Sequence, residues 1–325
     1  MKKHFKKLLL MALMAVMAVG LIACGTDKSD NESTKEEKTS VTITSLDASK
    51  NEIELEVPYN PKRIAILDLA CLDIIDELGV GDRVVGMAST SIDYLEKYSN
   101  DASIKNLGTI KEADLEAVME CEPDIIFIGG RLSKSYDALS EIAPVVYLAT
   151  DTNEGLVNSV SKNAKTIASI FGMEDKVDSL MSDFGARIDA IKKISSGKTA
   201  LVGMTTSGSF NLLGNDGRCS LIGVEAGFNN LTAAGSTSTH GNETSFETVV
   251  KQNPDYIFVM DRDSAISTAG AKNAKEIVEN ELVKTTDAYK NNHIIYLEHS
   301  NVWYTAEGGI QALYIMLTDL EKGLK

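Results

Sequence analysis

The sequence predicts an α/β protein of two similar lobes, each built on a mostly parallel sheet, joined by one long interlobe helix. Three observations predict it. Short apolar runs alternate with amphipathic tracts along most of the chain. One stretch is written twice. Asp114–Arg131 reads DLEAVMECEPDIIFIGGR and Ser245–Arg262 reads SFETVVKQNPDYIFVMDR, at an offset of 131 residues, so Glu116, Val118, Pro123, Asp124, Ile126, Phe127 and Arg131 recur as Glu247, Val249, Pro254, Asp255, Ile257, Phe258 and Arg262. Between the copies, Val177, Leu180, Met181, Phe184, Ile188, Ile191 and Ile194 follow 3–4 spacing, so a single helix with one buried face is expected over 174–195.

The chain has 325 residues, 43% hydrophobic and 24% charged, which suits two domains of roughly 130 residues. Its net charge is −15, and residues 1–23 contain four lysines and no acid. The remainder holds 28 basic against 47 acidic residues, about −19, which excludes nucleic acid as a partner and makes any arginine-lined site stand out. Lys2–Lys7 is a basic start, and Leu8–Ala23 is apolar but, at 16 residues, short of the ~20 needed to span a membrane. The segment ends Leu21-Ile22-Ala23-Cys24-Gly25. It resembles a bacterial lipoprotein signal, which implies lipidation at Cys24. Residues 26–40, TDKSDNESTKEEKTS, have nothing apolar to bury and read as a disordered tether. Fifteen such residues reach ~20–25 Å, so residues 24–40 anchor the chain by one end to the extracytoplasmic face of the cell membrane.

The elements follow in order. Residues 41–57 alternate as a β-hairpin turned at Asp47–Asn51. Residues 63–67, 84–87, 124–128 and 145–148 read as strands, with helices at 71–78, 115–121 and 136–142 between them. A further helix covers 156–170 and closes an N-terminal lobe at 41–173. After the interlobe helix the pattern restarts in a C-terminal lobe, 196–325. Strands are expected at 199–204, 256–260 and 293–297, and helices at 220–226, 246–251, 274–280, 282–288 and 309–320.

In each copy of the repeat the arginine sits just past the carboxyl end of a strand, where open α/β sheets bind ligands. Lobes that face each other bring Arg131 and Arg262 to one cleft from opposite sides, and two converging guanidinium groups call for an anion. Glu116 and Glu247 lie in the first turns of helices, where an acid favours the dipole by ~0.3–1 kcal/mol. That alone accounts for them locally; the other reading is a pair of outward acids read by a partner.

Cys71, Cys121 and Cys219 form no C-x-x-C and read as buried free thiols rather than a metal site. Ser159–Lys162 fits S-x-x-K, as in a penicillin-interacting serine hydrolase, but it lies in a tract of helical periodicity, and S-x-x-K alone is not specific. No G-x-S-x-G, H-E-x-x-H or P-loop occurs, and the chain reads as a non-enzyme.

The lipoprotein signal, tether, two lobes and linking helix resemble the class III solute-binding proteins of ABC importers over the whole mature chain. Within them the chain is most similar to the catecholate siderophore group of the petrobactin/enterobactin-fragment type. The resemblance implies an arginine triad in the cleft, matched by Arg131, Arg218 and Arg262, with His240 in Ser238–Gly241 and Tyr304 in Trp303-Tyr304 beside it. Trp303 is assigned with them to the ligand site, read as core or cleft wall rather than as a stacking platform. The implied ligand is Fe(III) as an anionic siderophore complex, with no intrinsic cofactor. Fe(III) is hard, so Tyr304 and His240 bond it where the siderophore leaves two positions open and only hydrogen-bond where it leaves none. The resemblance further implies docking through Glu116 and Glu247 onto a membrane permease driven by a separate ATPase, by a monomer held to the membrane through its lipid alone. Haem or cobalamin on the same scaffold is the nearest alternative ligand.

Overall fold

The computed structural model describes residues 38–234 and 236–325, so Cys24 and the expected signal and tether up to residue 37 lie outside the described residues. Strands β1 (Ser40–Leu46) and β2 (Glu52–Pro58) form the expected antiparallel hairpin. β3 (Ile64–Ile66), β4 (Val84–Met87), β5 (Lys105–Asn106), β6 (Ile125–Ile128) and β7 (Val145–Tyr147) form a wholly parallel sheet in the order β5-β4-β3-β6-β7. A second sheet contains β8 (Thr199–Thr206), β9 (Ser209–Leu212), β10 (Asn229–Asn230), β11 (Asn242–Glu243), β12 (Tyr256–Asp261) and β13 (Ile294–Tyr296). In it β8, β10, β12 and β13 pair in parallel, while β9 and β11 run antiparallel at one edge.

The repeated stretch occupies the same place in each sheet. β6 lies between β3 and β7, and β12 between β8 and β13. Each is preceded by a short helix, Leu115–Glu120 or Phe246–Gln252, capped by Asp114 or Ser245. Each helix gives way to one residue in the left-handed region, Glu122 (φ 44°) or Asn253 (φ 41°), ahead of the proline. The repeated aspartate then fastens the start of the neighbouring strand. Asp124 accepts from the backbone N–H groups of Lys62 and Arg63 at 2.7 and 2.9 Å, and Asp255 accepts from the N–H and hydroxyl of Thr199, both at 2.8 Å.

Side chains alternate across both central strands. Phe127 and Phe258 face one shared core, while Ile126 and Ile257 face separate outer clusters. The shared core is continuous from Ile64 through Ile167, Ile188 and Leu317 to Phe258. Helices Leu69–Glu77, Leu156–Phe171, Phe184–Ser195 and Ile310–Gly323 supply its middle.

The single helix expected over 174–195 is two, Glu174–Leu180 and Phe184–Ser195, joined by a turn at 181–183. Ser182 and Asp183 are weak helix formers, and the Ser182 hydroxyl bonds the Ser179 carbonyl at 2.9 Å, competing with the helical ladder. The apolar spacing survives because the joining residues Met181 and Asp183 keep right-handed backbone angles.

Two carboxylates tie remote segments together through helix starts. Asp73, in helix Leu69–Glu77, accepts from the Gln311 and Ala312 N–H groups at 2.9 Å each and from the Tyr94 hydroxyl at 2.6 Å. The fit requires Gly309, because a Cβ there would overlap Asp73. Glu225 accepts from Val157 N–H at 3.1 Å, at the start of a helix whose own cap position is Gly155.

Candidate functional site

Arg131 lies in the 3-10 turn Gly130–Ser135 directly after β6, and Arg262 opens the short helix Arg262–Ala265 directly after β12. Arg218 stands between β9 and helix Ser220–Gly223, and Tyr304 lies in helix Ser300–Thr305, beyond β13. The fold brings all four together. The guanidinium carbons of Arg131, Arg218 and Arg262 lie 5.5, 4.5 and 5.6 Å from the centre of the Tyr304 ring. Arg131 Nη2 and Arg218 Nε donate to the Tyr304 carbonyl at 2.9 and 3.3 Å, and Arg262 Nε donates to its hydroxyl at 3.2 Å. Arg218 also donates to the Thr239 carbonyl at 3.0 Å, and Arg262 to Thr206 and Asp263 at 3.2 and 3.1 Å.

Burial and the charge of Arg218 push the Arg131 guanidinium below its ordinary value. Burial opposes ionisation of the Tyr304 phenol. The Arg262 hydrogen bond and the charges of Arg218, Arg262 and Arg131 outweigh it, holding the phenol below the usual tyrosine range. A phenol so placed is readied to act as a phenolate donor to a hard cation or to bond an anionic oxygen. His240 is exposed in its loop, and residual burial together with Arg262, Arg218, Lys111 and Arg131 depress its imidazole. It is therefore neutral at neutral pH, the form that can bind metal.

Sequence reasoning missed the acids behind the arginines. Asp68 caps helix Leu69–Glu77 by accepting from Cys71 N–H at 3.0 Å, and Glu307 lies three residues after Tyr304. Both line a cavity of about 280 Å3 with Arg131, Arg218 and Tyr304. Burial raises both carboxyls, against the pull of the neighbouring arginines. Asp68 also needs Gly129, where a Cβ would overlap its carboxylate. An aspartate one residue ahead of an apolar helix was a legible capping signal; its second role beside Arg131 is tertiary.

Trp303 is a correction. It does not line the cavity: it is fully buried, and its indole N–H donates to Asp319 at 2.9 Å. Helix Ser300–Thr305 turns Tyr304 toward the arginines and its neighbour into the core. Glu116 and Glu247 are exposed in the first turns of their helices, away from the cavity lining. Cys71, Cys121 and Cys219 are buried and free, and burial raises all three thiols. Among the described residues no helix is long and apolar enough to cross a membrane.

Two sheets that bring three arginines onto one tyrosine, beside a cavity lined by Arg131, Arg218 and Tyr304 but not by Arg262 or His240, define a ligand-capturing protein of the class III binding-protein fold. The chain belongs to the family described as Periplasmic binding protein, which matches residues 64–300. It is 36% identical to the petrobactin-binding protein YclQ of Bacillus subtilis over 98% of this chain and 99% of that one. The crystal structure of YclQ covers 89% of this chain and 99% of its own, with a TM-score of 0.81. The periplasmic catecholate-siderophore binding protein VctP of Vibrio cholerae is 31% identical, covering 87% of this chain and all of its own, with a TM-score of 0.78. The probable siderophore-binding lipoprotein YfiY of Bacillus subtilis is 28% identical over 99% of this chain and 98% of that one.

Proposed function

We propose that this protein captures an anionic ferric catecholate siderophore in the cleft and delivers it to an ABC importer. The observation that carries the reading is the convergence of Arg131, Arg218 and Arg262 on one tyrosine ring. Forked guanidinium donors suit catecholate oxygens, and their flat faces suit catechol rings. The likeness to petrobactin-binding and catecholate-siderophore-binding proteins supports the same ligand class. Tyr304 and a neutral His240 serve as the protein's donors to Fe(III) where the siderophore leaves two positions open.

The likeness to a siderophore-binding lipoprotein supports anchoring through Cys24 on the extracytoplasmic face, with a tether that ends before Ser40, where β1 begins, rather than at it. Glu116 and Glu247 would engage the permease, and a separate ATPase would drive import. The test is a fluorescence titration of the sole tryptophan, Trp303, with ferric catecholate, ferric hydroxamate, haem and cobalamin side by side. The first is expected to bind, and Arg131→Ala or Arg262→Ala to weaken it tens-fold or more, as loss of a desolvated charged contact costs about 2–5 kcal/mol. Preference for haem or cobalamin, or unchanged affinity in both variants, rejects the reading.

A further inference from the structure

The helix that carries Tyr304 is only six residues long, Ser300–Thr305, and no side chain caps its start. Its own backbone ladder is too short to fix it, so ties to its surroundings set where Tyr304 stands. Ser300 Oγ accepts from Asp261 N–H at 3.1 Å, at the end of β12, and Asn301 Nδ2 donates to the Ser91 carbonyl at 2.9 Å. The third tie is Asp319, from helix Ile310–Gly323. It accepts from the His299 N–H at 3.1 Å, from His299 Nδ1 at 2.7 Å and from the Trp303 indole N–H at 2.9 Å. One carboxylate thus grips both the residue before the helix and the residue before Tyr304. Asp319 is 3% exposed, and the neighbouring Lys322 pairs with Glu298 at 2.8 Å rather than with it. A carboxylate buried without a lysine or arginine is less favourable than an apolar side chain of the same shape, so its presence here points to a geometric role.

We propose that Asp319 is a positioning residue of the ligand site: by holding His299 and Trp303 it fixes Tyr304, and through Tyr304 the three arginines. Asp319 lies outside the cavity lining and acts only through the helix. Trp303 and Tyr304 are consecutive, so a shift of the indole carries two groups with it. One is the Tyr304 carbonyl, which receives Arg131 and Arg218; the other is the hydroxyl, which receives Arg262. Hydrogen bonds weaken steeply once stretched or bent, so a small displacement of this helix loosens all three arginines together. The consequence for binding rests on the ferric catecholate reading of the cleft; the consequence for the Tyr304 phenol does not.

The test compares the unaltered protein with Asp319→Ala and Asp319→Asn, and takes Asp124→Ala as a variant weakened elsewhere, with circular dichroism confirming the fold of each. Ultraviolet pH titration, differenced against the same protein carrying Tyr304→Phe, follows the phenol. Calorimetry follows the binding of a synthetic ferric bis(catecholamide) complex. Asp319→Ala is expected to move the phenol upward, toward the ordinary tyrosine value of ~10, and to weaken binding about tenfold or more. Asp319→Asn should leave the phenol in place and the affinity within about twofold, because an amide oxygen still accepts from the indole and backbone N–H groups while its NH2 faces His299 Nδ1 in the other tautomer. Asp124→Ala should lower the denaturation midpoint and move neither reading. Should Asp319→Ala not fold, Trp303→Phe removes the indole bond while keeping an aromatic ring in the core, and an upward shift of the phenol is again expected. An unmoved phenol in folded Asp319→Ala or Trp303→Phe overturns the proposal, as does an Asp319→Asn variant that shifts the phenol as far as Asp319→Ala. If the complex fails to bind the unaltered protein, the ferric catecholate reading falls, and the phenol, read without ligand, still decides this inference.

Discussion

Tyr304 is where chemistry concentrates. Its carbonyl receives two arginines and its hydroxyl a third, so one residue organises the cationic pocket before any ligand arrives. Arg262 is the one that bonds the hydroxyl, which makes it the main control on phenol ionisation. Arg262→Gln is therefore expected to raise the Tyr304 phenol toward the ordinary tyrosine value of ~10. Ultraviolet pH titration, differenced against Tyr304→Phe, reads this directly; an unmoved phenol would show that Arg218 and Arg131 suffice. Legibility at this scale was uneven. Arg131 and Arg262 stood out because one sequence position is repeated in two lobes. Arg218, His240 and Tyr304 emerged only through family likeness, and Asp68 and Glu307 not at all, since a carboxylate's pairing with a distant arginine leaves no local pattern. Of the core and cleft-wall alternatives for Trp303 the core holds, because adjacent residues in a helix face different directions and Tyr304 takes the cleft side.

At the scale of elements, the repeated aspartates serve the sheets rather than the ligand. Asp124 and Asp255 each hold the first backbone groups of the strand beside their own. Asp124→Ala and Asp255→Ala should each lower stability by about 1–2 kcal/mol through unpaired donors, seen as a reduced denaturation midpoint, with ligand affinity little altered. Gly309→Ala should cost about 1–3 kcal/mol by forcing helix Ile310–Gly323 off Asp73, measured in the same way. The central strands were legible because Pro123 and Pro254 punctuate a helix on one side and an all-apolar run on the other. β9 was not, although Ser207 (φ 51°) and Gly208 (φ 81°) form a two-residue hairpin turn whose Ser-Gly signature was there to read. The break at 181–183 was hidden because apolar spacing reports which face is buried and not whether the backbone ladder is continuous.

At the scale of the molecule, Asp73 couples pH to stability. Burial raises its carboxyl from 3.8 to about 6 against the hydrogen bonds of Tyr94, Gln311 and Ala312, and Glu77 pushes it the same way as burial. The folded state thus holds this proton more tightly than the unfolded chain. That contribution is fully present below 3.8 and lost as pH rises through about 6. Relative to Asp73→Asn, the unaltered protein should lose up to about 3 kcal/mol between pH 4 and pH 7 or so, since each pKa unit carries about 1.4 kcal/mol. Urea unfolding at the two pH values measures it, and a gap independent of pH would place the titration elsewhere. Charge reversal of Glu116 together with Glu247 should abolish iron uptake by cells without changing ligand affinity; persistent uptake would remove the docking assignment. Because a single apolar mass runs through both halves, the spacing of those two acids is expected to stay nearly constant whether or not the cleft is filled. A transporter that grips both would meet the same footprint on empty and on loaded copies. Empty copies then act as decoys, and a cell that overproduces this protein while iron is scarce should import more slowly, not faster.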